Sequence, residues 1–171
     1  MFDEGQNDMT TFVPGPETAR AFRDALGRFA TGVTIVTCET DEGPLAIAAN
    51  SFSSLSLDPP LVLWSPAKFS RRFQPFNDAQ HYAINILAAD QVALCQTFAR
   101  DGTAFSAVAW SKGANGAPVL DGCLATFECT QAAVHDGGDH VIIVGEVTQA
   151  QMSDGEPLVF SKGAYGRFTD A

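Results

Sequence analysis

Two long runs of alternating apolar and polar residues near the C-terminal end restrict the fold most. They occupy residues 124–135 and 140–148 and are joined by Asp136, Gly137, Gly138 and Asp139. A glycine pair between two such runs favours a tight β-hairpin, because glycine readily adopts the positive φ that short turns require. The chain is therefore predicted to contain a long antiparallel hairpin in this region.

The remaining strands predicted from β-branched and apolar runs are short and numerous. They lie at residues 33–37, 45–49, 61–64, 82–87, 157–160 and 165–168. Helices are few: one apolar stripe is formed by Ala19, Phe22, Leu26 and Phe29, and residues 90–98 are predicted to be helical from Asp90 onward. Residues 69–76 predict one or two helical turns that stop near Pro75. Because strands do not alternate with helices, an antiparallel barrel or sandwich is favoured over a parallel doubly wound fold.

Length and charge narrow the classes of protein that the chain can belong to. Its 171 residues suit one domain over 16–171, preceded by a flexible N-terminal tail over 1–15. The net charge of −10 argues against nucleic-acid binding and against an anionic membrane surface, which surplus Lys and Arg would engage. No run approaches the roughly 18 apolar residues of a membrane span. Four cysteines without a CxxC motif predict free thiols and a cytoplasmic protein.

Several common catalytic motifs are missing from the sequence. It contains neither G-x-G-x-x-G nor a P-loop, so these two backbone cradles for phosphate are absent. It also lacks the G-x-S-x-G elbow of many hydrolases. The three histidines show no metal-ligand spacing, and no metal site is predicted.

Residues 43–57 carry no ionisable side chain. The segment holds one amide, Asn50, and four hydroxyls around Phe52: Ser51, Ser53, Ser54 and Ser56. Such a surface suits a flat heterocycle with carbonyl and ring-nitrogen edges. The alternative is a serine-rich loop whose hydroxyls bond to their own backbone.

Positive charge is concentrated immediately after the strand at 61–64. Lys68, Arg71 and Arg72 fall within five residues, and a phosphate-bearing ligand would need such a cluster in an acidic protein. An exposed helical face is the alternative. His140, which follows Gly138 and Asp139, is either a donor to a ligand carbonyl or phosphate or a surface residue of the hairpin.

Taken in order, these segments resemble the short-chain flavin reductase family, the FMN-binding split-barrel reductases of two-component flavin monooxygenases. The resemblance covers nearly everything after residue 20. The matching stretches are F-R-D-A-L-G-R-F-A-T-G-V-T-I-V-T (22–37), A-N-S-F-S-S-L-S-L-D-P-P-L-V-L (49–63), Y-A-I-N-I-L (82–87), F-A-R (98–100), G-A-P-V-L-D-G (116–122), G-G-D-H (137–140) and G-A-Y-G-R-F (163–168).

The resemblance implies a mainly β fold, a six-stranded antiparallel Greek-key split β-barrel with a few flanking helices. It also implies a homodimer with flavin sites near the subunit interface. The implied activity is NAD(P)H:flavin oxidoreductase, with FMN or FAD as flavin, NADH or NADPH as hydride donor, and a partner monooxygenase that receives reduced flavin. Two alternatives stay open: an electron-carrier module that holds flavin tightly, and a related split-barrel reductase of another bound substrate.

The same resemblance implies where the ligands bind. The implied flavin-lining residues are Thr31, Gly32, Val33 and Thr34, then Ala49, Asn50, Ser51, Phe52, Ser53, Ser54, Leu55 and Ser56, with Ala83, Ile84 and Asn85 on the other side. Lys68, Ser70 and Arg71 are expected at the flavin phosphate. His140 is expected to seat the nicotinamide nucleotide, with Tyr165 bordering that groove. No acid–base residue is expected, since hydride transfer depends mainly on how the two cofactors are positioned.

Overall fold

The computed structural model describes residues 9–170, which form three α-helices and twelve strands. The helices are α1 (Ala19–Leu26), α2 (Phe73–Asp78) and α3 (Val92–Arg100), with 3-10 turns at Pro16–Thr18 and Phe105–Ala107. The strands are β1 (Thr31–Gly32), β2 (Thr34–Thr40), β3 (Gly43–Ala49), β4 (Ser53–Leu57), β5 (Pro60–Trp64), β6 (His81–Ile86), β7 (Trp110–Lys112), β8 (Pro118–Leu120), β9 (Ala125–Gly137), β10 (His140–Met152), β11 (Leu158–Ser161) and β12 (Ala164–Arg167). The predicted tail lies partly outside the described residues, and residues 9–15 form no helix or strand.

Seven strands form the main sheet in the order β3-β2-β6-β9-β10-β5-β4, and every pairing is antiparallel. The predicted hairpin is present as β9 and β10, with Gly137 opposite His140. Gly138 takes φ +79° in the two-residue loop between them. Smaller sheets are formed by β1-β11-β12 and by β7-β8.

The main sheet curls around an inner core. Trp64 of β5 and Tyr82 of β6 lie on strands that β9 and β10 separate in the sheet order, yet their ring centroids are 6.2 Å apart. Both pack with Val36, Ile84 and Ile143 in one buried cluster. A mainly β, antiparallel fold is thereby confirmed, with seven strands in the curled sheet rather than the six predicted.

Strand β2 explains why an unbroken apolar run appears in the sequence. Val36 faces the inner core, whereas its neighbour Ile35 faces a second core beneath α3, with Phe98 and Leu158. Successive residues of a strand point to opposite faces, so a strand covered on both sides needs apolar residues throughout. All of residues 33–38 are buried.

The structure corrects three local predictions. Strand β4 was missed because serine-rich segments favour loops, although here the backbone of Ser53–Leu57 pairs with β5. Pro75 lies in the first turn of α2 instead of ending a helix. A backbone N–H in the first turn has no helical carbonyl to bond, so proline, which lacks the N–H, is tolerated there. Helix α3 begins after Gln91, whose side chain accepts a hydrogen bond from Ala88 N, so Asp90 is not its N-cap.

Candidate active site

An open depression lies where the small sheet of β1, β11 and β12 meets β3. It encloses about 150 Å³ and is called the Asn50 cleft. Its lining comprises Val33, Ala48, Ala49, Asn50, Cys95, Phe160 and Tyr165. A larger cavity of about 730 Å³, called the α1 cavity, adjoins it, because Asn50 and Phe160 line both.

Strand pairing brings the walls of the Asn50 cleft together from distant parts of the chain. Phe160 on β11 is opposite Thr31 on β1 and opposite Tyr165 on β12. The Phe160 and Tyr165 ring centroids are 5.4 Å apart. Leu87 N donates to Val33 O at 3.0 Å, which joins this small sheet to the main one. The cleft therefore combines an aromatic wall with the end of β3.

Two polar groups at these cavities have no partner among residues 9–170. The Thr31 hydroxyl is buried without a hydrogen bond. The Asn50 side chain is exposed, and its amide makes no side-chain hydrogen bond there. Gly32 lies beside Thr31, and a Cβ at this position would meet nothing within 4 Å. Buried polar groups normally find partners, so the Thr31 hydroxyl is suited to bonding a ligand.

Tyr165 contacts a thiol inside the cleft. Its Oη lies 3.4 Å from Cys95 Sγ, and this contact, together with desolvation, raises the pKa of Tyr165 to about 12. Burial likewise raises the pKa of Cys95. Both groups are therefore protonated at neutral pH and add no charge to the cleft.

The serine segment lies next to the cleft, and within residues 49–56 only Ala49 and Asn50 line it. The Ser51 hydroxyl donates to Ser65 O at 3.1 Å and accepts from Ser65 N at 2.9 Å, which ties the segment to the end of β5. Ser53 bonds to Ser54 O at 3.1 Å. The Phe52 ring stacks on Phe127 at 5.8 Å as part of the inner core.

The rest of the segment belongs to the outer edge of the sheet. Ser54 is exposed, Leu55 is half exposed and Ser56 is partly buried, all on edge strand β4. Thr34 is buried beside the segment and donates to Ala49 O at 2.8 Å. The alternative of serines that bond their own backbone thus describes Ser53, whereas Ser51 bonds the backbone of the distant Ser65.

The predicted cationic cluster separates into different environments. Lys68 bonds Asp136 and Gly138 O, so it holds the turn between β9 and β10 and lowers the pKa of Asp136. Arg72 donates to Phe98 O at 2.6 Å and to Ala99 O at 3.3 Å, at the C-terminal end of α3. A third cavity is lined by Ser70, the exposed Arg71 and Arg72. This third cavity and the Asn50 cleft share Ala48 as a lining residue.

His140 lies at the beginning of β10 and lines neither the Asn50 cleft nor the α1 cavity. Its Nδ1 is 2.7 Å from Asp139 Oδ1, a contact that lowers the pKa of Asp139. The Phe69 ring meets the imidazole edge-on at 6.4 Å. The imidazole remains half exposed, so its other nitrogen is open to a ligand.

Ala83, Ile84 and Asn85, which were expected on the other side of the flavin, line neither the Asn50 cleft nor the α1 cavity. Each is completely buried in β6. The Asn85 amide donates to Ile35 O and accepts from Leu120 N and the Thr126 hydroxyl. Its polar atoms are therefore used inside the fold.

The family model described as Flavin reductase like domain matches residues 26–169. The chain belongs to the flavin reductase family. The FMN reductase (NADH) SmoA of Agrobacterium fabrum is 58% identical over 158 residues, covering 92% of this chain and 91% of that protein. The reductase subunit HsaB of a flavin-dependent monooxygenase of Rhodococcus jostii is 40% identical over 148 residues, covering 85% and 76%.

A solved structure of an NADH:FAD oxidoreductase has the same fold. The NADH:FAD oxidoreductase SgcE6 of Streptomyces globisporus superposes with a TM-score of 0.87 at 34% identity, covering 96% of this chain and 95% of that one. That protein has also been solved in complex with NAD and FAD fragments. In the described part of the present chain, no helix is long and apolar enough to cross a membrane.

The residues of the Asn50 cleft fit a flavin of the kind that this family is named for. An apolar and aromatic wall with one exposed amide matches a flat ring with polar edges, and the unbonded Thr31 hydroxyl lies in the adjoining α1 cavity. Within residues 9–170, no group of three or more His, Cys, Asp and Glu could hold a metal.

Sequence reasoning missed several residues of the two cavities. These are Ala48, Cys95 and Phe160 in the Asn50 cleft, and Arg20, Arg23, Phe29, Lys162 and Gly163 in the α1 cavity. The Lys162-Gly163 pair between two short apolar runs was the one local signal, because it indicates a hairpin turn. Its position beside α1 depends on the tertiary structure.

Proposed function

We propose that this protein is an NADH-dependent flavin reductase that binds FMN or FAD at the Asn50 cleft. The observation that carries the proposal is the combination of the aromatic wall, the free Asn50 amide and the unbonded Thr31 hydroxyl. NADH is preferred to NADPH as donor because the relatives SmoA and SgcE6 are named as NADH enzymes.

The bound flavin supplies the ring that accepts a hydride from the reduced nicotinamide. The chain's residues bind and orient: Phe160 and Tyr165 provide the apolar wall, and Asn50 bonds the polar edge of the ring. Tyr165 stays a neutral phenol at working pH because its pKa is raised to about 12. We assign Arg71 and Ser70 to an anionic part of the ligand and the free nitrogen of His140 to the nicotinamide nucleotide.

Reduced flavin is proposed to leave for a partner monooxygenase. The Asn50 cleft is open and Asn50 itself is exposed, which suits a flavin that enters and leaves. Reductase components of monooxygenases are prominent among the relatives, HsaB being one. All four cysteines are free, which fits the reducing cytoplasm as the location of this reaction.

The protein is further proposed to be a homodimer. Strand β4 is an edge of the main sheet, and it exposes Leu55 by 49% and Leu57 by 97%. An exposed edge strand with apolar side chains normally pairs or is covered. Light scattering after size exclusion should give twice the chain mass, and Leu57→Asp should give the chain mass. Met152→Asp, at an equally exposed methionine, is the control; a wild-type monomer would contradict the proposal.

The reductase proposal is tested by mixing purified protein with NADH and either FMN or FAD under anaerobic conditions. We expect NADH oxidation and flavin bleaching with at least one flavin. Asn50→Ala should raise the flavin KM. Absence of bleaching with NADH and either flavin would refute the proposal. Flavin that stays bound through gel filtration, with negligible turnover of added flavin, would instead identify an electron carrier.

A further inference from the structure

Three cations line the α1 cavity, in a chain with a net charge of −10. Arg20, Arg23 and Lys162 account for three of the ten Lys and Arg residues, and Asp24 is the one acid beside them. The ion pairs found within residues 9–170 involve Lys68, His140 and Arg167, not these three. Three cations against one acid leave the cavity with an excess of positive charge, which raises the local concentration of anions there.

The backbone of Lys162 is held in an unfavourable conformation at this place. Its φ is +51°, the one positive value of a non-glycine residue among residues 9–170, and Gly163 follows at +77°. Asparagine or glycine is usual at such a turn position. Lys162 N donates to Gly27 O at 2.8 Å, which anchors the turn to the end of α1. A strained residue kept at a cavity points to a function for its side chain.

The α1 cavity adjoins the candidate flavin site. Asn50 and Phe160 line both, and the unbonded, buried Thr31 hydroxyl belongs to the α1 cavity. A ligand whose ring lies in the Asn50 cleft can therefore extend an anionic part toward the three cations. Nucleotides have this form, with a flat ring joined to phosphate.

We propose that Arg20, Arg23 and Lys162 bind a phosphate group of the nucleotide whose ring occupies the Asn50 cleft. The proposal rests on the proposed reductase function. It places the main phosphate contacts on α1 and the β11–β12 turn, whereas Lys68 is bonded to Asp136. The phosphate belongs either to the flavin or to the nicotinamide dinucleotide, and the chemistry of recognition is the same for both.

The variants that test it are Arg23→Gln and Lys162→Asn, because asparagine tolerates the positive φ while removing the charge. Arg28→Gln is the matched control: Arg28 is exposed just beyond α1 and lines neither cavity. Dissociation constants are measured without turnover for riboflavin, FMN and FAD by fluorescence quenching, and KM is measured for NADH. Each is measured at low and high salt.

We expect each cavity variant to weaken the phosphate-bearing ligand by about tenfold at low salt, the loss of one charge-assisted hydrogen bond. The loss should shrink at high salt, and riboflavin, which lacks phosphate, should change by less than about twofold. Weaker FMN and FAD binding identifies the flavin phosphate, and a raised NADH KM alone identifies the dinucleotide. Effects no larger than those of Arg28→Gln, or an equal loss for riboflavin, would overturn the proposal. A wild-type protein that binds FMN but reduces no flavin would refute the reductase function and leave the flavin-phosphate comparison intact.

Discussion

Replacing Asn85 by alanine removes four buried hydrogen bonds near the C-terminal end of β6. The amide donates to Ile35 O at 3.0 Å and to the Thr37 hydroxyl at 3.3 Å. It accepts from Leu120 N at 3.1 Å and from the Thr126 hydroxyl at 3.2 Å. At about 1 kcal/mol net for each bond, Asn85→Ala should lower the free energy of unfolding by about 4 kcal/mol. That is a large part of the roughly 5–15 kcal/mol that stabilises a typical domain.

Urea denaturation measures the loss. With a slope of about 2 kcal/mol per molar urea, the midpoint should fall by about 2 M. Thr126→Val removes one of the four bonds, so its midpoint should fall by about 0.5 M. This smaller change keeps the test available if the alanine variant does not fold. Flavin affinity, measured below the transition, should stay within about twofold of wild type, because Asn85 is completely buried and borders neither cavity.

Asn50→Ala is the matched control with the opposite expectation. Asn50 is exposed and lines both cavities, so its removal should change the urea midpoint very little and weaken flavin binding by about tenfold. The reasoning fails if Asn85→Ala leaves the midpoint within about 0.5 M of wild type. It also fails if the folded Asn85 variant loses more flavin affinity than Asn50→Ala.

Three other changes test the packing and the charges of the structure. Gly145→Ala should lower the free energy of unfolding by about 1–3 kcal/mol, because the added Cβ would collide with the Tyr82 hydroxyl. Tyr82→Phe removes that unbonded hydroxyl, so in a double-mutant cycle it should recover part of the lost stability. Lys68→Met should raise the pKa of Asp136 toward its usual value, which a carboxylate NMR titration measures, because the hydrogen bond from Lys68 lowers that pKa. The Lys68–Asp136 pair stabilises the fold at pH values above the ordinary aspartate pKa, and this contribution is lost as the pH falls through the lowered pKa. The thiol of Cys38, whose pKa is raised to about 12 by burial, should resist alkylation at mildly alkaline pH until urea unfolds the protein, and rapid labelling of the native protein would contradict its burial.

Strand positions could be predicted where side-chain alternation or β-branching is strong. The β9–β10 hairpin was found from its two alternating runs and its glycines, and β2 from its β-branched run. Strand β4 was not found, because its pairing with β5 is a backbone property that four serines in six residues do not reveal. Such edge strands are specified by their neighbours.

The apolar stripe of α1 shows the same limit for a helix. The spacing of Phe22, Leu26 and Phe29 identified the helix, although α1 ends at Leu26 and Phe29 lies beyond it. These side chains are 43%, 58% and 80% exposed. Periodicity tells which side of a helix is apolar, and it does not tell what covers that side. Here Leu26 and Phe29 line the α1 cavity instead of entering a core.

The candidate site was only partly accessible from the sequence. The uncharged segment around Asn50 stood out by composition, and Asn50 does line both cavities. Asn85 has the same side chain in a similarly apolar setting, but its hydrogen bonds lie inside the barrel. Composition cannot distinguish the two amides, because the difference between them is whether other strands surround the side chain.

Local chemistry is enough to specify an acidic, antiparallel β protein with a central hairpin, since turn residues and strand alternation act over a few neighbouring positions. Which polar groups face a ligand depends on contacts between distant segments. Pairing of β1 with β11 places Phe160 beside Asn50. The hydrogen bond from Lys162 N to Gly27 O holds Lys162 at the end of α1, although 134 residues, Arg28 to Ser161, separate the two in the sequence. Only the folded chain brings these groups together, because strand pairing joins segments whose separation in sequence carries no local signal.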